Sequence, residues 1–118
     1  MSNEDDRRRE VRVELRSVGV VDLGDRTVAC QTLDVSRTGL AVLAAAPAPT
    51  CPVQVRFKLG SSEAAWTDVE AMVVHSHPLG DGQNHIWGLK LHPMDLGTRT
   101  RVRGYIAARR QGAGRRRN

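Results

Sequence analysis

Aromatic residues are scarce in this chain, which holds two Trp, one Tyr and one Phe among 118 residues. A surface for single-stranded nucleic acid stacks successive bases on aromatic side chains, and so few rings argue against one. Cysteine is as sparse: Cys30 lies inside an alternating apolar run and Cys51 beside Pro52, a pair that suits two reduced thiols better than a disulfide framework. No run approaches the ~18 apolar residues of a membrane span. The start, Met1-Ser2-Asn3-Glu4-Asp5-Asp6, is acidic and polar where a secretory leader needs basic residues followed by an apolar stretch. The expectation is a cytoplasmic protein without a membrane span. Nothing resembles a nucleophile with its base, so no enzyme is expected. His75 and His77 fall on one strand face without a third or fourth ligand placed by sequence, so no metal or cofactor is expected either.

Acids are missing from one region only. Residues 99–118 carry eight Arg and no acid, residues 11–98 carry seven Lys or Arg and nine acids, and residues 1–10 carry three Arg and four acids. The net charge of +5 therefore belongs to the C-terminal end rather than to the body. The ending Gly-Ala-Gly-Arg-Arg-Arg-Asn has no apolar periodicity and reads as a disordered basic tail over 111–118. Its plain role is solubility or weak attraction to anions, and nucleic acid is disfavoured as a partner. A steeply salt-dependent nucleic-acid reading through the same arginines is the competing one.

With 118 residues the chain fits one domain with one core. From Val11, apolar Val11, Val13 and Leu15 alternate with Arg12, Glu14 and Arg16, the period of a half-buried strand. Gly19, Asp22, Gly24 and Asp25 punctuate the next stretch, and 26–35 reads as a second strand with Val28, Cys30 and Leu33 inward. A short third run covers 40–43 after Gly39, and the three prolines between 44 and 52 make a loop. Val53, Val55, Phe57 and Leu59 alternate with polar residues as a fourth strand, 66–77 and 85–92 supply a fifth and sixth, and 78–83 with its Gly-Asp-Gly turns between them. The period then changes: Leu96, Val102, Tyr105 and Ile106 are spaced near three and four, predicting a helix over 95–110 with Asp95 as its cap and arginines on its outer face. The expected fold is all-β, a six-stranded antiparallel barrel or sandwich with a C-terminal helix.

Two clusters carry recognisable chemistry. Arg7-Arg8-Arg9-Glu10-Val11-Arg12 brings guanidinium forks that grip phosphate bidentately and lie on a purine edge. Asp34-Val35-Ser36-Arg37-Thr38-Gly39 brings a carboxylate, a hydroxyl and a glycine that lets backbone approach a ligand. Guanine offers N1 and N2 hydrogens to a carboxylate and N7 and O6 to an arginine, so both clusters match one guanine-bearing phosphodiester. Either alone reads more simply as a solvated flank or a self-bonded turn; their joint presence around a strand pair points to an anion site. Trp66 and Trp87 read as core or rim. Asp68 and Glu70, on one strand face with no substrate pocket placed beside them, read as solvated rather than as an acid and base pair.

Arg8 and Arg12 match the RxxxR motif of PilZ domains, and Asp34, Ser36 and Gly39 match their (D/N)xSxxG motif. Trp87-Gly88-Leu89-Lys90-Leu91 is similar to the family's late strand, with Leu91 in the place of its large apolar residue. The resemblance spans about residues 7–110, leaving 1–6 as a flexible start. It implies a six-stranded antiparallel β-barrel with a C-terminal α-helix that binds cyclic di-GMP on its outer surface and turns nothing over. Arg8 and Arg12 would take phosphates and guanine edges, Asp34 would accept from a guanine, and Ser36 and Gly39 would shape the loop against the ligand. Arg7 resembles family members that bind an intercalated dimer of the messenger, and Arg9 and Arg37 are candidates for accessory contacts, with solvated arginines as the alternative. The arm would fold onto the barrel with ligand and alter the surface met by an unidentified downstream protein. The alternative is an adaptor of the same fold that does not bind the nucleotide.

Overall fold

The computed structural model describes residues 10–61, 63–80 and 82–116, with side chains described up to 111. Arg7, Arg8 and Arg9 of the first cluster lie outside the described residues. Among those described are seven strands and one helix: β1 (Val13–Glu14), β2 (Val18–Asp22), β3 (Thr27–Val35), β4 (Gly39–Ala44), β5 (Val53–Lys58), β6 (Trp66–Leu79), β7 (Asn84–Leu91) and α1 (Leu96–Arg116). Neighbouring strands are antiparallel throughout. Six close into a barrel in the ring order β3-β2-β5-β6-β7-β4 and back to β3, while β1 pairs with the far end of β3 outside the ring.

The period-two pattern fills the barrel. Val53, Val55 and Phe57 are buried while Gln54 and Arg56 between them are exposed, and Leu40, Val42, Ala44, Trp87, Leu89 and Leu91 reach the same core from β4 and β7. Trp87 is fully buried, and its Nε1 donates to the Ala46 carbonyl at 3.1 Å, satisfying the polar edge of an otherwise apolar ring. Each such large side chain taken out of water contributes about 1.5–3 kcal/mol. Cys30 and Cys51 are free; burial pushes the Cys30 thiol up to about 11, which leaves it an inert packing group. Trp66 sits at the rim, its ring under Lys58 Nζ at 4.7 Å.

The barrel's six strands are not the six expected. The first of those, from Val11, forms only the two-residue β1 outside the ring, and the true first barrel strand is β2, which the glycine at position 19 disguised as a turn. Gly19 faces Cys30 on β3 and Phe57 on β5. A Cβ there would lie 2.8 Å from Cys30 Sγ and 3.2 Å from the Arg56 carbonyl, so its glycine serves a close approach within a strand. The turn itself is narrower: Gly24 takes a φ of 98°, its N–H donates to Asp22 Oδ1 at 2.8 Å, and Leu23 N–H donates to the Arg26 carbonyl.

Two bulges set which side chains face outward. On β3 the register against β4 shifts between Thr32 and Asp34. Cys30 and Thr32 point inward, and strict alternation through Leu33 would bring Asp34 inward next; the bulge takes up Leu33 as an extra residue, so Val35 is buried and Asp34 stands on the outer surface. Leu33 is accordingly only half-buried rather than a core residue. A second shift between Val73 and His75 places His75 and His77 on the outer face, opposite Gly88 and Ile86. Among the described residues no group of three or more metal-ligating side chains forms.

Helix α1 lies beside β1, with Val102 and Ile106 in the core one turn apart. Asp95 caps it, its Oδ1 accepting from Thr98 N–H at 2.7 Å. Tyr105 Oη donates to the Glu14 carbonyl at 3.0 Å, and Arg109 Nη2 lies 3.7 Å from Glu14 Oε1. The helical backbone continues to Arg116, past the expected end at 110 and into the segment read as a tail, of which 117 and 118 lie outside the described residues. No described helix is long and apolar enough to cross a membrane.

Candidate functional site

The β3–β4 connection is a tight turn built on Ser36. Its hydroxyl accepts from Gly39 N–H at 2.9 Å and from Thr38 N–H at 3.3 Å, and Ser36 N–H donates to the Gly39 carbonyl at 2.9 Å. Ser36 is fully buried, so these bonds replace water for its polar atoms. At Gly39 a Cβ would lie 3.1 Å from Arg12 Nη2 and 3.3 Å from the Leu89 carbonyl. The glycine thus gives the Arg12 side chain room to lie against the turn.

Register brings the described arm to the turn. β1 pairs Glu14 with Asp34, which puts Arg12 and Asp34 on the same outer face, where Arg12 Nη1 lies 2.6 Å from Asp34 Oδ1. Glu10 reaches over the turn: Ser36 Oγ donates to its Oε1 at 2.6 Å, and Thr38 Oγ1 donates to its Oε2. Burial alone would raise the Glu10 carboxyl, but the bonds from Ser36 and Thr38 and the charges of Arg12 and Arg37 outweigh it and hold the group below its ordinary value. A carboxylate therefore already sits where the turn offers two hydroxyls, which marks that place as one that accepts an anion.

Beside the ion pair the barrel wall is low. Asp34 is opposite Ala41, Ala41 opposite Gly88 and Gly88 opposite His75, a row across four strands on the outer face. Two of its members have a methyl or less for a side chain, and the His75 ring lies so close over Gly88 that a Cβ there would collide with it. The His75 imidazole covers Gly88, so the small side chain left beside the Asp34 carboxylate on this strip is that of Ala41.

The structure brings Arg12, Asp34, Ser36 and Gly39 together. Arg37 follows Ser36 on the turn but its side chain lines a different cleft, shared with Arg110. Sequence reading gave no role of their own at the site to Glu10, Thr38, Gly88 or Arg110, and weighed His75 only as a metal ligand. The signal for Glu10 was an acid standing within a run of arginines. His75 and Gly88 become neighbours only through a bulge that periodicity does not reveal.

This outer-face constellation on a six-stranded barrel with a C-terminal helix defines the class. The chain belongs to the PilZ domain family, whose model matches residues 6–108. Among solved structures it is similar to the PilZ domain with c-di-GMP of YcgR from Escherichia coli, at TM-score 0.68 and 14% identity over 93% of this chain and 96% of that one. It is similar also to the Bacillus subtilis inhibitor of motility MotI/DgrA, at TM-score 0.73 and 16% identity over 90% of this chain and 52% of that one. YcgR in complex with c-di-GMP gives TM-score 0.75 and 15% identity over 93% of this chain and 49% of that one. The chain thus spans about half the length of MotI/DgrA and of the longer YcgR chain. No curated protein matches it.

Proposed function

We propose that this protein is a receptor for cyclic di-GMP that acts by binding rather than by catalysis. The observation that carries the reading is the Arg12–Asp34 ion pair of 2.6 Å, held on the outer wall beside the Ser36 turn in a chain of the PilZ family. A guanine presents hydrogen donors on one edge and acceptors on another, and this pair offers a carboxylate and a guanidinium to match them. Ala41, opposite Asp34 on the outer wall, leaves room for a base bonded to that carboxylate, and the Ser36 and Thr38 hydroxyls that hold Glu10 would suit a phosphate oxygen that displaced it. The two YcgR structures with c-di-GMP support the ligand, as complexes of proteins with this fold.

In this reading Arg8 joins Arg12 on phosphate and guanine edges, Arg9 and Arg37 add charge, and Arg7 clasps a second, intercalated messenger molecule. Ligand orders the arm of residues 7–12 against the barrel, and the changed surface is what a downstream protein in the cytoplasm reads. The domain proper covers 7–110.

Titration calorimetry with cyclic di-GMP, beside GTP and cyclic GMP, tests the reading. Selective binding that is lost in Arg8→Ala, Arg12→Ala and Asp34→Ala is the expected result. An absence of heat and of competition at any reachable concentration sinks it and leaves the nucleotide-free adaptor. A stoichiometry near two nucleotides per chain is the outcome expected from the role given to Arg7.

A further inference from the structure

Arg37 and Arg110 line one cleft of about 250 Å³ whose other walls are Val11 and Ile106. Val11 immediately precedes Arg12. Arg37 likewise adjoins Ser36. The cleft therefore flanks both motif segments and touches helix α1 on its far wall.

The charges in the cleft are uncompensated. Arg12, Arg16, Arg56 and Arg109 each lie within 4.0 Å of a carboxylate, whereas among the described residues Arg37 and Arg110 have no such partner. The acid whose charge is felt by Arg37 is Glu10, and its carboxylate is already engaged by Ser36 and Thr38. Helix α1 supplies no acid of its own, since residues 96–116 contain none. Two guanidinium groups facing one cleft repel each other until an anion enters, and the apolar floor of Val11 and Ile106 strengthens their hold on it. Guanidinium forks favour the paired oxygens of a phosphate.

We infer that Arg37 and Arg110 form a second anion subsite, which takes a phosphodiester group of the guanine dinucleotide and thereby links the ligand on the barrel wall to helix α1. The inference rests on the receptor reading and extends it to a helix residue outside both motifs. The phosphodiester belongs either to the molecule held by Arg12 and Asp34 or to a second molecule stacked on it, and stoichiometry separates the two. In either case the ligand spans two elements, so its arrival stiffens the helix as well as the arm.

The test uses the full chain, titrated with cyclic di-GMP as wild type, Arg37→Ala, Arg110→Ala and Arg110→Gln, with hydrogen exchange of the helix read with and without ligand. Each variant is expected to lose about tenfold or more in affinity, the worth of a charged hydrogen bond, and ligand is expected to slow exchange around residues 106–111 in wild type alone. Loss with unchanged stoichiometry assigns the group to the first molecule; a fall from two molecules per chain to one assigns it to the second. Arg110 is exposed, so its variants should keep the wild-type circular dichroism; if Arg110→Ala does not, Arg110→Gln decides. Wild type that binds while both Arg110 variants bind within twofold of it, with helix exchange indifferent to ligand, overturns the inference and leaves the receptor reading standing. Wild type that does not bind removes both.

Discussion

Ser36 Oγ donates a 2.6 Å hydrogen bond to Glu10 Oε1, tying the arm before β1 to the turn after β3. Because the bonds and nearby guanidinium charges hold the Glu10 carboxyl below its ordinary value of 4.5, the contact is linked to pH. A carboxyl depressed in the folded state stabilises fully above its unfolded value, and that stability is lost as pH falls through the folded one. Urea midpoints measured from pH 7 to pH 3 should therefore fall more steeply for wild type than for Glu10→Gln, with the two curves converging at the acid end. Parallel curves would mean that Glu10 is not held in solution as it is here.

The Arg12–Asp34 pair is about half exposed, and an ion pair of that kind contributes about 0–1 kcal/mol. Arg12→Ala and Asp34→Ala should each leave the melting temperature within a few degrees of wild type while abolishing cyclic di-GMP binding in calorimetry. A variant that melted much earlier would recast the pair as structural.

Gly19 and Gly88 should respond differently to the same substitution. At Gly19 the new methyl meets Cys30 Sγ and the Arg56 carbonyl inside a strand paired on both sides, so Gly19→Ala should cost about 1–3 kcal/mol in denaturant unfolding, partly recovered by Cys30→Ala. At Gly88 the methyl meets the ring of an exposed histidine, which can swing away. Gly88→Ala should keep its stability yet weaken nucleotide binding, because it displaces the His75 ring on the strip that leads to Asp34. Equal stability losses at the two sites would contradict this account.

Thr67 is fully buried, and its Oγ1 has no hydrogen-bond partner. An orphaned hydroxyl is costly, and replacing it with a methyl removes the penalty at nearly constant volume. Thr67→Val should stabilise the protein by about 1 kcal/mol, seen as a raised midpoint with an unchanged slope in urea.

The barrel and helix were legible because β5 and the first half of β6 alternate cleanly and Leu96, Val102 and Ile106 do not. The turn motif was legible because Asp34, Ser36 and Gly39 are close in sequence. The features that escaped depend on contacts between distant segments. Strand β2 was hidden because a glycine needed for close packing looks, in one dimension, like a glycine needed for a turn. The two bulges were hidden because an extra residue in a strand has no composition of its own, and with them went the contact of His75 with Gly88. Arg110 was hidden because one arginine among many on a helix gains meaning only from the loop it faces. The helical backbone runs past 110 through Gln111, Ala113, Arg115 and Arg116, which favour it, and through Gly112 and Gly114, which do not and which read in the sequence as an end.

The extra residue at Leu33 acts on β3 as a frameshift acts on a coding strand. Positions before it are counted in one phase and positions after it in the other, so Asp34 owes its outward face to the bulge just before it. Were Leu33 instead taken into regular pairing, the strand would keep a single phase through it, sending the Asp34 carboxylate toward the core and Val35 into water. A sequence with both motifs intact would then encode neither the site nor a sound barrel.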